Sequence, residues 1–191
     1  DLAAAPHLVH HAHHCRAVAD VLGQRRQDQR AVDRQRRQQR LVASFTTDEV
    51  AVAMYHAHHH AQMTVPNGLL GMFYVGDLPL PEGQTIGGQA IPENVEISQE
   101  VPMVLNDTGV IGLTLNGKSF PATAPIVGDR GDWILVTYAN EGSQIHPMHM
   151  HQFDQFVIAK DGYPLNNPYA VDTLNVAPGE RYSVLVQLEE R

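Results

Sequence analysis

Apolar residues in this chain come in short runs broken by turn residues, without the three-and-four spacing of an amphipathic helix. Val50-Ala51-Val52-Ala53-Met54-Tyr55 is a β-type run, and 69–75 is a second one beyond the turn signals Pro66-Asn67-Gly68. Further runs follow at 101–105, 112–115, 133–139, 153–158, 171–176 and 181–188. Between them stand Asn106-Asp107, Asn116-Gly117, Gly128-Asp129, Asp161-Gly162 and Pro178-Gly179, each a turn pair. Short strands at this spacing predict an all-β sandwich, with no helix longer than about a turn. Two strands cannot close a sandwich. Residues 45–76 therefore read as the C-terminal part of a first domain. Residues 77–98, with Pro79, Pro81, Gly83, Gly87, Gly88 and Pro92, read as a linker. Residues 99–191 read as a second, nearly complete domain lacking its C-terminal end.

Residues 1–44 break the pattern. His7, His10, His11, His13 and His14 cluster ahead of Cys15, and an Arg/Gln-rich stretch runs on to Arg40. Arg and Gln favour helix, but the apolar residues of 16–42 make only a poor stripe. The expectation is a disordered or irregular/helical segment, atypical and not native-like. Three readings stay open for it: a metal-binding tail from the His/Cys cluster, a basic arm, or the product of GC-rich DNA read out of frame.

Charge sharpens the division. The net charge of -8 is +4 over residues 1–40 and -12 over the rest. An acidic body without a basic, aromatic-interleaved face argues against nucleic acid as a partner. No apolar run reaches the length of a membrane span. The start, Asp1-Leu2-Ala3-Ala4-Ala5-Pro6, shows no signal peptide. A single cysteine forbids an internal disulfide.

The chemistry sits in the histidines. His146-Pro147-Met148-His149-Met150-His151 puts three imidazoles in six residues between two apolar β runs. In a strand, positions i and i+2 share a face, so His149 and His151 are expected side by side. Pro147 is expected to block regular pairing and turn the chain, freeing His146 for a different site. His56 and His58 form another such pair at the end of the 50–55 run. Imidazole suits copper, zinc, iron and nickel. Met148 and Met150 should face the core, His59 and His60 are read as bystanders, and Asp107, Asp129 and Asp132 as turn residues or solvated charges. The plain alternative for each pair is surface histidines beside a turn.

These residues carry a resemblance. Tyr55-His56-Ala57-His58, followed by Gly68-Leu69-Leu70-Gly71, resembles the end of a cupredoxin domain in the multicopper oxidases. The His146–His151 motif, followed by Phe156-Val157 and Val176-Ala177-Pro178-Gly179-Glu180, resembles the last cupredoxin domain of the same family. The likeness covers about residues 46–191. Only 88 residues separate His58 from His146, which resembles the two-domain, small-laccase-like members. It implies a cupredoxin-like Greek-key β-sandwich preceded by the last hairpin of another, with copper in type 1, type 2 and type 3 sites. By resemblance His146 is a type 1 ligand, His149 a type 2 ligand, and His151, His56 and His58 type 3 ligands.

The family couples one-electron oxidation of a small-molecule donor to reduction of dioxygen to water. Its two-domain members imply a homotrimer with the trinuclear site between subunits, and an exported protein. Ala57 stands where a copper-bearing first domain has its cysteine, which argues against a copper nitrite reductase. Gln62 is likewise not a ligand histidine. The family's first His-x-His pair belongs upstream of residue 45 and its His-Cys-His beyond residue 191, so the chain is expected to hold part of the site. Two alternatives stay open: a non-catalytic copper-binding cupredoxin module, and a cupin-like mononuclear site completed by Asp154.

Overall fold

A computed structural model describes residues 13–19, 41–47 and 50–189, the first two stretches as backbone only. The chain divides into two compact units, Asp1–Glu49 and Val50–Arg191. In the first, β1 (His13–Ala19) pairs antiparallel with β2 (Leu41–Thr47), Val18 opposite Val42 and Cys15 opposite Phe45. This corrects the irregular or helical expectation for 13–19 and 41–44. Val42, Phe45, Thr46 and Thr47 are strong strand formers, and a second strand outweighs the local helix preference of the arginines. Residues 1–12 and 20–40, with His7, His10 and His11, lie outside the described residues.

The second unit opens with a hairpin. β3 (Ala51–His56) pairs with β4 (Leu70–Val75), Met54 opposite Met72 and His56 opposite Leu70. The bond from Ala57 N to Leu69 O at 2.9 Å carries the ladder past His56. The connection holds one helical turn, α1 (Ala61–Thr64), entered through His60 in the left-handed region at φ 52°. Hydrogen bonds fasten the hairpin to the body: Asn106 Nδ2 donates to Pro66 O at 3.1 Å and Val65 O at 3.4 Å, and Arg181 Nε to Val52 O at 3.3 Å.

β5 (Thr85–Ile86) and β6 (Gln89–Ala90) form a small ladder inside 77–98. Beyond it come β7 (Ile97–Gly109), β8 (Gly112–Leu115), β9 (Trp133–Asn140), β10 (His146–His149), β11 (Gln155–Lys160), β12 (Tyr163–Val171), β13 (Thr173–Val176) and β14 (Arg181–Gln187). Six of them make one sheet in the order β12-β11-β14-β9-β7-β8. β7 runs parallel to β9, and the other neighbours are antiparallel.

All eight residues of β9 are buried. That is why 133–139 reads as a continuous apolar run: both faces of the sheet are covered. On one face Ile134, Val136, Tyr138, Val157, Val184 and Val186 pack against Leu174 and Val176 of β13, with Met148 and Met150 against the same cluster. On the other, Trp133, Leu135, Phe156, Ile158 and Leu185 are covered by Leu78, Leu80, Ile86, Ile91 and Val95. The proline- and glycine-rich 77–98 stretch thus supplies apolar cover for the sheet.

β10 pairs with β13 in a separate two-stranded ladder, Pro147 opposite Asn175. The proline does not turn the chain out of the sheet, contrary to expectation. A ladder of two strands leaves each an open edge, where a missing N–H is tolerated. A buried network fixes this ladder to the large sheet. Tyr138 Oη donates to Gln155 Oε1 at 2.8 Å, and Gln155 Nε2 donates to Met148 O at 2.9 Å and Asp172 O at 3.3 Å. Burial pushes the Tyr138 phenol above its ordinary range, which keeps it a donor. Tyr138→Phe leaves Gln155 Oε1 without this donor in a fully buried site. We expect a loss of about 1–2 kcal/mol, read as a lower urea midpoint at unchanged m-value; an unaltered midpoint would contradict the role given to this bond.

Candidate metal centre

Alternation along β10 sorts the histidines. His146 and Met148 lie on the half-buried face and Pro147 and His149 on the exposed one, in the burial pattern of the strand. Met148 and Met150 pack into the core, as expected. His149 and His151 stand together outside, with ring centroids 5.1 Å apart and planes at 65°. His146 is aimed elsewhere because it has the opposite parity on one strand.

Each anchored imidazole is held by one nitrogen. His149 Nδ1 donates to Asp172 O at 3.2 Å, with Asp172 Oδ2 also at 3.2 Å. His56 Nδ1 donates to Ala57 O at 3.1 Å. His146 is held through the other nitrogen, its Nε2 donating to Asp107 Oδ2 at 2.9 Å. These tautomers follow from the carbonyl and carboxylate partners, which only accept; the Thr173 hydroxyl, 3.5 Å from His149 Nδ1, gives its own proton to Asp172 Oδ2. A carbonyl or carboxylate on one ring nitrogen orients the other toward a metal. Nε2 is therefore available on His56 and His149, and Nδ1 on His146.

Asp107 was expected as a turn residue or solvated charge, and the structure corrects this. β7 runs through Asn106-Asp107 to Gly109, and the Asp107 side chain is fully buried. Its carboxylate accepts from Ser143 N at 3.0 and 2.9 Å, Ser143 Oγ at 3.0 Å, Gln144 N at 2.8 Å and His146 Nε2. Burial works to raise its pKa, but the donors from Ser143, Gln144 and His146 outweigh burial and hold it below the ordinary carboxylate value. The remaining turn expectation holds at Asp129, whose N donates to Asp132 Oδ2 at 2.9 Å.

His56 and His58 are exposed, His56 at the end of β3 and His58 just past it. Beside His56 lies Glu141, only 9% exposed, with neither carboxylate oxygen hydrogen-bonded. Burial pushes its pKa up to about 7, against the opposing pull of His56 and the Gly71 amide. His59 and His60 stack edge-on at 4.1 Å.

Of the five candidate ligands, the structure brings His149 and His151 together as one pair. His146 lies on the other face of their strand, and His56 and His58 on the hairpin. Among the described residues no group of three or more His, Cys, Asp or Glu is placed to hold a metal ion, which also leaves the Asp154 mononuclear site without support. The donors fit copper in part. Imidazoles with one nitrogen free suit it, but residues 50–191 contain no cysteine to give the thiolate of a blue-copper site. Asp107, Asp172 and Glu141 escaped the sequence reading because their roles depend on long-range pairing. One signal was present for Asp107: Gly109 to Gly112 offers a tighter turn just beyond it.

A family model for the multicopper oxidases matches residues 91–190. The chain belongs to the multicopper oxidase family. The blue copper oxidase of Nitrosomonas europaea is 26% identical, with a TM-score of 0.65 over 80% of this chain and 50% of that one. The multicopper oxidase mgLAC is 28% identical, with a TM-score of 0.63 over 79% of this chain and 50% of that one. A Saccharomyces cerevisiae protein named as a multicopper oxidase, GMC1, is 33% identical over 79 residues, 41% of this chain and 13% of that protein. This multicopper oxidase chain thus spans about half the length of the two solved relatives. The expected all-β, cupredoxin-like sandwich is its fold, and copper is the metal that family membership implies. No described helix is long and apolar enough to cross a membrane.

Proposed function

We propose that this chain is part of a copper-dependent oxidoreductase of the laccase-like kind, which couples one-electron oxidation of a small-molecule donor to reduction of dioxygen to water. The observation that carries the reading is the strand β10. It presents His149 on one face, beside His151 of the turn that follows, and His146 on the other, within a chain of the multicopper oxidase family. His146 is the type 1 ligand, through Nδ1. His149 is a type 2 ligand through Nε2, and His151, His56 and His58 are type 3 ligands. Copper, when bound, supplies the one-electron steps and the binding of dioxygen.

The residues of the chain supply geometry. Asp172 and Gln155 hold β10 and the His149 ring in place, and the sandwich separates the two faces of the strand. No three of these ligands are grouped for a metal among the described residues, and a cluster completed between chains is compatible with that. A homotrimer with the trinuclear site at its subunit boundaries accommodates that. Residues 45–76 then belong to the first domain, 77–98 to the connection and 99–191 to the second domain. Export from the cytoplasm goes with this reading.

The test is oxygen uptake by copper-loaded protein in the presence of a phenolic donor. Uptake dependent on both copper and donor supports the oxidase. Tight copper binding without uptake favours the non-catalytic copper module. Neither binding nor uptake removes both.

A further inference from the structure

His146 differs from the other anchored imidazoles in which nitrogen is held. His56 and His149 are fixed by Nδ1, His56 on a backbone carbonyl and His149 on the carbonyl and exposed carboxylate of Asp172. His146 is fixed by Nε2 on a carboxylate from a distant strand, 39 residues earlier in the chain. We propose that Asp107 is a positioning residue: it sets the Nε2–H tautomer of His146 and so turns Nδ1 toward the metal. This inference rests on the reading of His146 as a ligand.

The geometry carries it as follows. Ser143 N, Ser143 Oγ and Gln144 N all donate to the Asp107 carboxylate, so Asp107 is itself immobilised before it meets the imidazole. Its side chain is fully buried and that of His146 is 13% exposed, so water does not compete for the bond. Every other contact of the carboxylate is a donor, so the only role left to His146 Nε2 is also that of donor. The surrounding loop is built to keep this arrangement. Asn140 Nδ2 donates to Gln144 O and to Val176 O, both at 2.8 Å, and Gly142 N donates to Asn140 Oδ1 at 2.8 Å. A Cβ at Gly142 would fall on Asp107 Oδ2, so only glycine lets the loop close over the carboxylate. One carboxylate thus latches the 142–144 loop and selects the tautomer of the first histidine in the motif. A ligand whose ring is already oriented and correctly protonated loses less freedom on metal binding.

The tautomer is read directly from ring nitrogen-15 shifts of His146 in metal-free, full-length protein at about pH 8, where an ordinary imidazole is neutral. The expected wild-type spectrum has a protonated Nε2 and a bare Nδ1. Asp107→Asn removes an acceptor and introduces an amide donor, and is expected to lower the Nε2–H population. Copper affinity at His146 should fall with it by about 10- to 100-fold, while Asp107→Glu restores part of the Nε2–H population. A wild-type spectrum with the proton on Nδ1 overturns the proposal, and so does an unaltered tautomer in a folded Asp107→Asn protein. Should Asp107→Asn fail to fold, the wild-type spectrum still decides. If the expected tautomer is found but copper does not bind, it is the ligand reading of His146 that fails, and the two outcomes are distinguishable.

Discussion

Protein carrying His149→Ala and His151→Ala together is expected to bind copper roughly ten-thousand-fold more weakly at this face, with its folding stability nearly unchanged. Structural four-ligand zinc sites hold their metal with about 10–16 kcal/mol, or roughly 3 kcal/mol per ligand; on that scale two imidazole ligands are worth about four decades of affinity. The rings are the closest imidazole pair of the β10 motif, 5.1 Å apart, and Nε2 of His149 is left free. Both residues are exposed, so their loss costs folding within about 0.5 kcal/mol. That split separates a ligand from a structural residue. His146→Ala is different, because it takes a donor from a buried carboxylate and should lower stability as well as affinity. Competition against a chelator of known affinity measures the first quantity and urea unfolding the second. Equal affinity in the double variant and the wild type would remove the pair from the metal centre.

Much of this was legible from side-chain order alone. The fully buried β9 and the mostly buried β14 were read as strands from their apolar residues, and β8 was found at its observed bounds. The inward direction of Met148 and Met150 followed from alternation; His149 and His151 do stand together, but His151 does so from the turn after β10 and not from a strand position. What alternation cannot show is which strand lies opposite. β10 was missed because Pro147 argues locally against pairing, while β13 supplies a partner on one side only. β12 was missed because Tyr163–Val171, with two prolines and two asparagines, reads as loop, yet it pairs with β11 at the edge of the sheet. Asn106-Asp107 looked like a turn because its partners, Pro66, Ser143, Gln144 and His146, are all distant in sequence. The roles of Asp107 and Glu141 both come from burial, which a residue's immediate neighbours do not reveal.

Glu141→Gln is expected to stabilise the metal-free protein by about 3 kcal/mol at pH 8 and to have almost no effect near pH 4. The wild-type carboxyl titrates near its ordinary 4.5 when unfolded and at about 7 when folded. Between those values the folded state holds the extra proton, so wild-type stability falls as pH rises. The loss begins near 4.5 and is complete just above 7, and a shift of this size is worth about 3 kcal/mol. At 9% exposure, solvent screens little of it. Below 4.5 the wild-type side chain is neutral in both states, as glutamine is at every pH, so the two proteins converge. Urea midpoints at about pH 4 and pH 8 measure the difference, and an equal gap at both would mean that Glu141 carries no such desolvation cost. Within the chain only the charge of His56 and the Gly71 amide offset part of that cost, and burial outweighs both. A buried carboxylate left unsatisfied beside a candidate ligand is a local rule broken at a site, and functional sites are where such violations collect. The stability liability therefore points to the same end of β3 and β9 that the His56-Ala57-His58 spacing marks in the sequence.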